Sequence, residues 1–341
     1  MLPVTSQIED WALALMEYVF GQKASFTPHL IQFGNKGVLL HLPTGHPISC
    51  EIMDALFEAG DLDPVFELIF WECSVPDEIK SATKADVPHI PGGQHVLSDR
   101  TTICVDQHTD GLYVLDRVKK RILIWVPSYE KFPFWAKATP FRIPFSWVAS
   151  ENDGEMIHCA GIELDGHGIL LAGNGGRGKT TTAINAALHG AKILGEDFIL
   201  YMKDSVFAVY TKAKIHPGIH LDHLMGKGLQ APSAIPNQKT IVNLRNQPFS
   251  MVETFRPTIL YFPGIPGLDT ATEIVRISKA LALREFAGPS FIGLQGAGAH
   301  SLEQHSKLVR TIDTWSLPMT GQLDLDIAKM KTHLRTEVKV E

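Results

Sequence analysis

Residues 168–197 read GILLAGNGGRGKTTTAINAALHGAKILGED, and this stretch decides the fold of the chain around it. Within it, Gly173-Asn174-Gly175-Gly176-Arg177-Gly178-Lys179-Thr180 fits the phosphate-loop pattern G-x-x-x-x-G-K-[ST]. The apolar run 169–172 reads as a buried strand entering the loop, and 181–189 has the composition of a helix leaving it. Beyond the two glycines the pattern requires, Gly175, Gly176 and the strand-side Gly168 let the backbone turn its N–H groups inward. Those amides and the positive end of the following helix, from Lys179 through Thr181, would form an anion cradle. Lys179 would reach the β- and γ-phosphates of a nucleotide, and the Thr180 hydroxyl would hold Mg²⁺. The expected cofactors are therefore ATP and Mg²⁺. A glycine-rich turn that binds nothing is the alternative, and it requires residue identity, strand and helix to agree by accident.

Working outward, an acidic pair, Glu196-Asp197, stands one helix beyond Lys179. Side chains that alternate across a strand would turn one carboxylate to Mg²⁺ and the other to an incoming hydroxyl. A solvated helix-to-strand turn accounts for the pair equally well on spacing alone. Upstream, residues 156–164 read as one strand containing His158, followed by the turn Asp165-Gly-His-Gly168, a hairpin leading into the loop. Downstream, 198–202, 206–215, 240–244 and 258–262 read as strands, and 278–286, 301–311 and 325–334 as helices.

These residues carry a resemblance. The segment MIHCAGIELDGHGILLAGNGGRGKTTTAINAALHGAKILGEDFILY, residues 156–201, resembles the catalytic core of HPr kinase/phosphorylase. That family has a histidine in the strand before the loop and an acidic pair after one helix, on a fold shared with phosphoenolpyruvate carboxykinase. The segment looks closer still to the HPr-kinase-like serine kinases of peptide maturation, notably the lasso peptide precursor kinases. Val209-Tyr-Thr-Lys-Ala-Lys214, Pro236-Asn-Gln-Lys239 and Pro257-Thr-Ile-Leu-Tyr-Phe-Pro263 extend the likeness. It covers about 144–262, weakens towards 334, and rests on length and position alone for 1–140.

The resemblance implies an α/β fold, an HPr kinase/phosphoenolpyruvate carboxykinase-like P-loop core with a smaller mixed α+β N-terminal domain. It implies transfer of the ATP γ-phosphoryl group to a serine of a peptide or small protein. Glu196 would accept the hydroxyl proton and Asp197, with Thr180, would bind Mg²⁺, with exchange of the two acids left open. His158 would sit by the acceptor. Lys214 and Lys239 would stabilise transition-state charge, where cations matter most. Glu196 stands where these families carry Asp, and the glycine-rich signature of the dephosphorylating activity has no clear match here. Phosphorylase activity and HPr as substrate therefore stay open. So do two rival functions, a nucleotide-binding regulatory module without phosphoryl transfer and a small-molecule kinase.

The 341 residues allow two domains, expected at 1–145 and 146–341, with the polar run 150–154 as the nearest boundary signal. Residues 6–20 read as an amphipathic helix, 50–59 as a helix and 64–72 as an ambiguous one. Short alternating stretches at 30–33 and 37–42 read as strands, and 101–105, 111–115 and 121–126 as a three-stranded meander. The aromatic, proline-rich stretch 125–147 reads as a docking seam, and a free edge of the meander as a place to recruit a substrate strand. A purely structural cap is the alternative for the whole region.

A net charge of −6 argues against nucleic acid and anionic membranes as partners. Four cysteines without a C-x-x-C pair suggest neither disulfides nor zinc. With no signal-like or membrane-length segment, a cytoplasmic protein is expected, and homo-oligomerisation stays open. His216, His220 and His223 have helical spacing, but Pro217 and Gly218 break such a helix, which argues against a metal site there.

Overall fold

The computed structural model describes residues 2–72, 93–217, 219–232, 238–267, 272–294 and 299–337. Cys73 and the Pro236-Asn237 part of the family likeness lie outside the described residues. The chain divides into two compact units, Met1–Val148 and Ala149–Glu341.

The first unit is a mixed seven-stranded sheet. In chain order its strands are β1 (Phe26–Phe33), β2 (Lys36–Pro43), β3 (Pro64–Glu72), β4 (Gly93–Val96), β5 (Thr101–Asp106), β6 (Gly111–Asp116) and β7 (Arg121–Val126). Their spatial order is β1-β2-β3-β7-β6-β5-β4. Residues 64–72 are thus a strand and not a helix. β3 is parallel to both β2 and β7, and a central parallel strand reads as a nearly continuous apolar run, here Val65-Phe66-Glu67-Leu68-Ile69-Phe70-Trp71. Helix α1 (Leu2–Gly21) lays Ala12, Leu15, Met16 and Val19 on Ile69, Ile103, Val114 and Leu123. The expected helix at 50–59 shortens to α2 (Pro47–Met53), the Pro47 ring starting it where a missing N–H costs nothing.

Two expectations about this unit are corrected. The meander has no free edge, because β4 pairs with β5 and β3 with β7. The aromatic stretch is core, not a docking seam. Around α3 (Phe134–Ala138) and α4 (Arg142–Ser150), Phe70 meets Phe141 and Phe33 meets Phe145, both at 5.4 Å between ring centres. Phe132, Phe141, Phe145 and Trp147 are all buried.

The second unit carries the phosphate loop on β10 (His167–Leu171) in a six-stranded sheet, with α5 (Lys179–Leu188) following. The sheet adds β9 (Ala160–Leu164), β11 (Lys192–Gly195), β17 (Ile259–Pro263), β18 (Val275–Arg276) and β19 (Asp313–Leu317), in the order β11-β9-β10-β17-β19-β18. β10, β17 and β19 are parallel, so their carboxyl ends make one edge, where ligands of open α/β sheets bind. Ala183, Ile184 and Ala187 of α5 are buried with Ile327, Met330 and Leu334 of α9 (Leu323–Glu337), in the cluster that also holds Ile169 and Leu171.

Residues 156–164 are not one strand. β8 (Gly154–Ile157) belongs to an antiparallel four-stranded sheet with β12 (Ile199–Met202), β13 (Ser205–Phe207) and β16 (Thr254–Phe255), while β9 belongs to the loop's sheet. His158 and Cys159 form the junction. The remaining pair, β14 (Lys212–Ile215) and β15 (Thr240–Asn243), forms a separate ribbon. Gly168 also has a different reason from the one expected. It lies inside β10, and a Cβ there would sit 2.4 Å from the Arg256 carbonyl oxygen and 2.6 Å from the Phe255 ring. Gly168→Ala should therefore cost about 1–3 kcal/mol, as overpacking does, read as a lower urea midpoint at unchanged slope.

Glu155 on β8 is buried and accepts a 2.6 Å hydrogen bond from Ser301 Oγ of α8 (Ala299–Thr311). Burial raises its pKa to about 7, with the Ser301 bond and His300 opposing. The folded value lies above the unfolded one, so its stabilising contribution is complete below the ordinary carboxylate range and is lost as pH rises through 7. At pH 8, Glu155→Gln should stabilise the protein by ~3 kcal/mol relative to the parent, and the gain should vanish near pH 4. Melting curves at the two pH values check this.

Candidate functional site

The loop 173–178 bends because Gly173, Gly176 and Gly178 take φ of 124°, 82° and 83°, a region closed to most side chains. Lys179 at the start of α5 is buried. Its Nζ donates to the Gly173 carbonyl at 2.7 Å and the Asn174 carbonyl at 3.2 Å. Burial lowers its pKa, and the charges of Glu196 and Asp197 oppose that shift.

Glu196-Asp197 do not alternate across a strand as expected. They follow β11 in a bend in which Asp197 has φ 72°, so both carboxylates line one cavity. A non-glycine residue in the left-handed region persists only where its surroundings hold it. Here they do: Lys214 Nζ donates to Asp197 Oδ2 at 2.5 Å, and His158 Nε2 lies 3.3 Å from Oδ1. Glu196 accepts from the Thr180 hydroxyl and, at 3.3 Å, from the Lys214 backbone N–H. The two acids differ sharply in proton affinity. Burial raises the Glu196 pKa, and the Asp197 charge raises it further. Burial also pushes Asp197 upward, but Lys214 and His158 outweigh it and hold Asp197 well below the carboxylate range.

A cavity of ≈ 210 Å³ brings together the run from Gly175 to Thr181 with His158, Glu196, Asp197, Lys214 and Lys239. Gly173 lines a neighbouring cavity, and Asn174 contributes its carbonyl to Lys179. Loop amides and Lys179 suit phosphate oxygens. The Thr180 hydroxyl beside two carboxylates offers the hard oxygen ligands Mg²⁺ takes, with room left for phosphate. The residues present thus fit a Mg²⁺–nucleotide. His216 also lines this cavity, whereas His223, on α6 (Ile219–Gly226), has its Nε2 3.2 Å from Asp324 Oδ1.

The His158 placement comes from residues that local sequence reading passes over. Its backbone N–H donates to Ser290 Oγ at 2.9 Å, on α7 (Lys279–Gly293), and its ring lies 5.2 Å from the Phe198 ring. Ser290 Oγ is 3.0 Å from His305 Nε2, and His305 Nδ1 donates to the Ser301 carbonyl at 2.7 Å. Burial lowers the His305 pKa to about 4, so it stays neutral and its Nε2 accepts the hydrogen bond that the Ser290 hydroxyl donates. Gly264, Pro266, Met319 and Gly321 complete the cavity from the loops after β17 and β19, with Leu323 from the start of α9. No local signal marks them; only the parallel pairing brings them in.

The chain matches no protein-family model, and a search of curated proteins also returned no match. Among solved structures, the HPr(Ser) kinase/phosphatase from Coxiella burnetii aligns with 54% of this chain and 99% of its own, at 11% identity and a TM-score of 0.27. No helix among the described residues is long and apolar enough to cross a membrane.

Proposed function

We propose that this chain is an ATP-dependent, Mg²⁺-requiring kinase that phosphorylates a serine hydroxyl of a peptide or small protein in the cytoplasm. The observation that supports the reading most is the convergence of Lys179, Thr180, Glu196, Asp197 and Lys214 on one cavity beside the loop amides. The sequence likeness to HPr-kinase-like serine kinases supports a peptide acceptor, lasso peptide precursors among the candidates.

ATP supplies the phosphoryl group and Mg²⁺ offsets its charge. A bond forms between the serine Oγ and Pγ, the bond from Pγ to the β,γ-bridging oxygen breaks, and ADP keeps that electron pair. The chain positions the reactants and takes the proton. Lys179 and the loop amides hold the phosphates, and Lys214 and Lys239 oppose the developing negative charge. Glu196 accepts the hydroxyl proton, because a base works best when its pKa is lifted towards the working pH, and its own is raised. Asp197, kept ionised by Lys214 and His158, binds Mg²⁺ with Thr180. One contact favours the exchanged assignment: the Thr180 hydroxyl donates to Glu196, which puts the metal-binding oxygen beside the glutamate. Mass spectrometry after incubation with Mg·ATP and serine peptides tests the proposal. A peptide gaining one phosphate supports it; nucleotide binding without transfer to any acceptor would leave a regulatory module.

A further inference from the structure

The Lys179 tip rests on the Gly173 and Asn174 carbonyls, and a lysine at this position reaches the β/γ-phosphates. The terminal phosphate therefore belongs at the loop's N-terminal end. The nucleoside belongs towards the other end of the loop, past Thr181. A second cavity, of ≈ 360 Å³, opens at the terminal-phosphate end: Ala172 and Gly173 form one wall, and it shares Arg177 and Gly264 with the first. The remaining walls are largely apolar. Phe262 and Leu317 come from the carboxyl ends of β17 and β19, Ile277 from the link between β18 and α7, and Leu281 from the first turn of α7, with Glu285 one turn on as the charged member. Leu281 is 37% exposed and so stands at the cavity's rim, within reach of an incoming peptide.

We infer that this second cavity is the acceptor subsite, and that it seats the apolar side chain of a residue next to the serine that is phosphorylated. The inference rests on the kinase reading. A peptide residue in the cavity would have its neighbour at Gly173 and Arg177, where the terminal phosphate is presented. The volume has room for one large aliphatic or aromatic side chain together with peptide backbone beside it, and its lining carries one cation, Arg177, against one carboxylate, Glu285, a set poorly suited to a second phosphate group. Buried apolar contacts of this kind discriminate between side chains by tens of fold, not thousands.

The test uses the full chain with Mg·ATP and serine peptides carrying Leu, Phe, Ala or Asp on either side of the serine. At the flanking position that enters the cavity, Leu and Phe should exceed Ala in kcat/KM by about 10–100-fold, chiefly through KM, with Asp poorer still. Leu281→Asp should raise KM for the leucine peptide to the level of the alanine peptide. Ile277→Trp, which fills the cavity, should do the same for the phenylalanine peptide. Melting curves and Mg·ATP affinity, measured separately, establish that both variants are folded. Peptides phosphorylated equally well whatever flanks the serine would overturn the inference and leave the kinase reading standing. A preference that survives both substitutions would do likewise. Tight Mg·ATP binding with no transfer to any peptide would overturn both.

Discussion

Lys179→Ala should reduce turnover by about 10²–10³-fold, the usual loss when one preorganised donor to developing charge is removed. Lys179 is the buried cation of the loop, and its Nζ spans two loop carbonyls, so it holds charge where phosphate oxygens must sit. Alanine leaves the backbone amides as the only donors from the loop and releases the clasp across its N-terminal end. Mg·ATP affinity should fall as well. The fold should survive, because the cluster beneath is built from Ala183, Ile184, Ala187 and their partners rather than from the ammonium group. Isothermal titration with Mg·ATP beside a melting curve separates the effects. A variant that binds and turns over ATP like the parent would show that the loop does not hold phosphate.

The second large effect separates the two acids. Glu196→Gln keeps the size and the acceptor oxygen facing Thr180 but cannot take a proton, so kcat should drop by about 10²–10⁴-fold with nucleotide affinity largely kept. Asp197→Asn should instead raise the Mg²⁺ concentration needed for half-maximal rate, and it removes the charge that holds Lys214 and His158. The pH profile supplies an independent readout. Because the Glu196 pKa is raised, the base is protonated and idle over more of the acid range. The acid limb of kcat/KM should then lie above the ordinary carboxylate value of about 4.3. That limb should disappear in Glu196→Gln. Loss of the metal requirement with Glu196→Gln, and of the acid limb with Asp197→Asn, would assign the roles the other way round.

The phosphate loop, its strand and its helix were legible because each is local: a residue pattern, a short apolar run and a glycine-free segment lie side by side. The strands at β12, β15 and β17 and the three C-terminal helices were legible for the same reason, whereas the single strand expected at 206–215 is broken into β13 and β14, which pair in different sheets. The break in the strand expected at 156–164 was not legible, since its apolar content is continuous across His158-Cys159 while the backbone leaves one sheet and enters another. Residues 64–72 misled through apolar density, which a buried parallel strand shares with a buried helix. In the aromatic stretch 125–147, composition alone could not tell a ring cluster turned inward from one presented outward. Within the site, Lys179, Thr180, Glu196 and Asp197 announce themselves by spacing. Ser290, His305 and Gly264 do not, because each is placed by pairings or packing with segments far along the chain.

The same long-range pairing has a bearing on the order of events at the ribosome. Ile169 is flanked by Ile162 on one side and Ile259 on the other, and Ile259 is in turn flanked by Asp313. The hairpin of β9 and β10 can therefore form as soon as it emerges, while the far side of β10 waits for residues made much later. The first compact unit, ending at Val148, has emerged by then and can fold as a unit. On the kinase reading, nucleotide affinity would be a late property of the nascent chain, acquired when β17 docks on β10 and completed by β19. Until then the row of N–H and C=O groups along β10 is an unpaired edge, the feature most prone to mispairing and aggregation, and the place where a chaperone would have most to do.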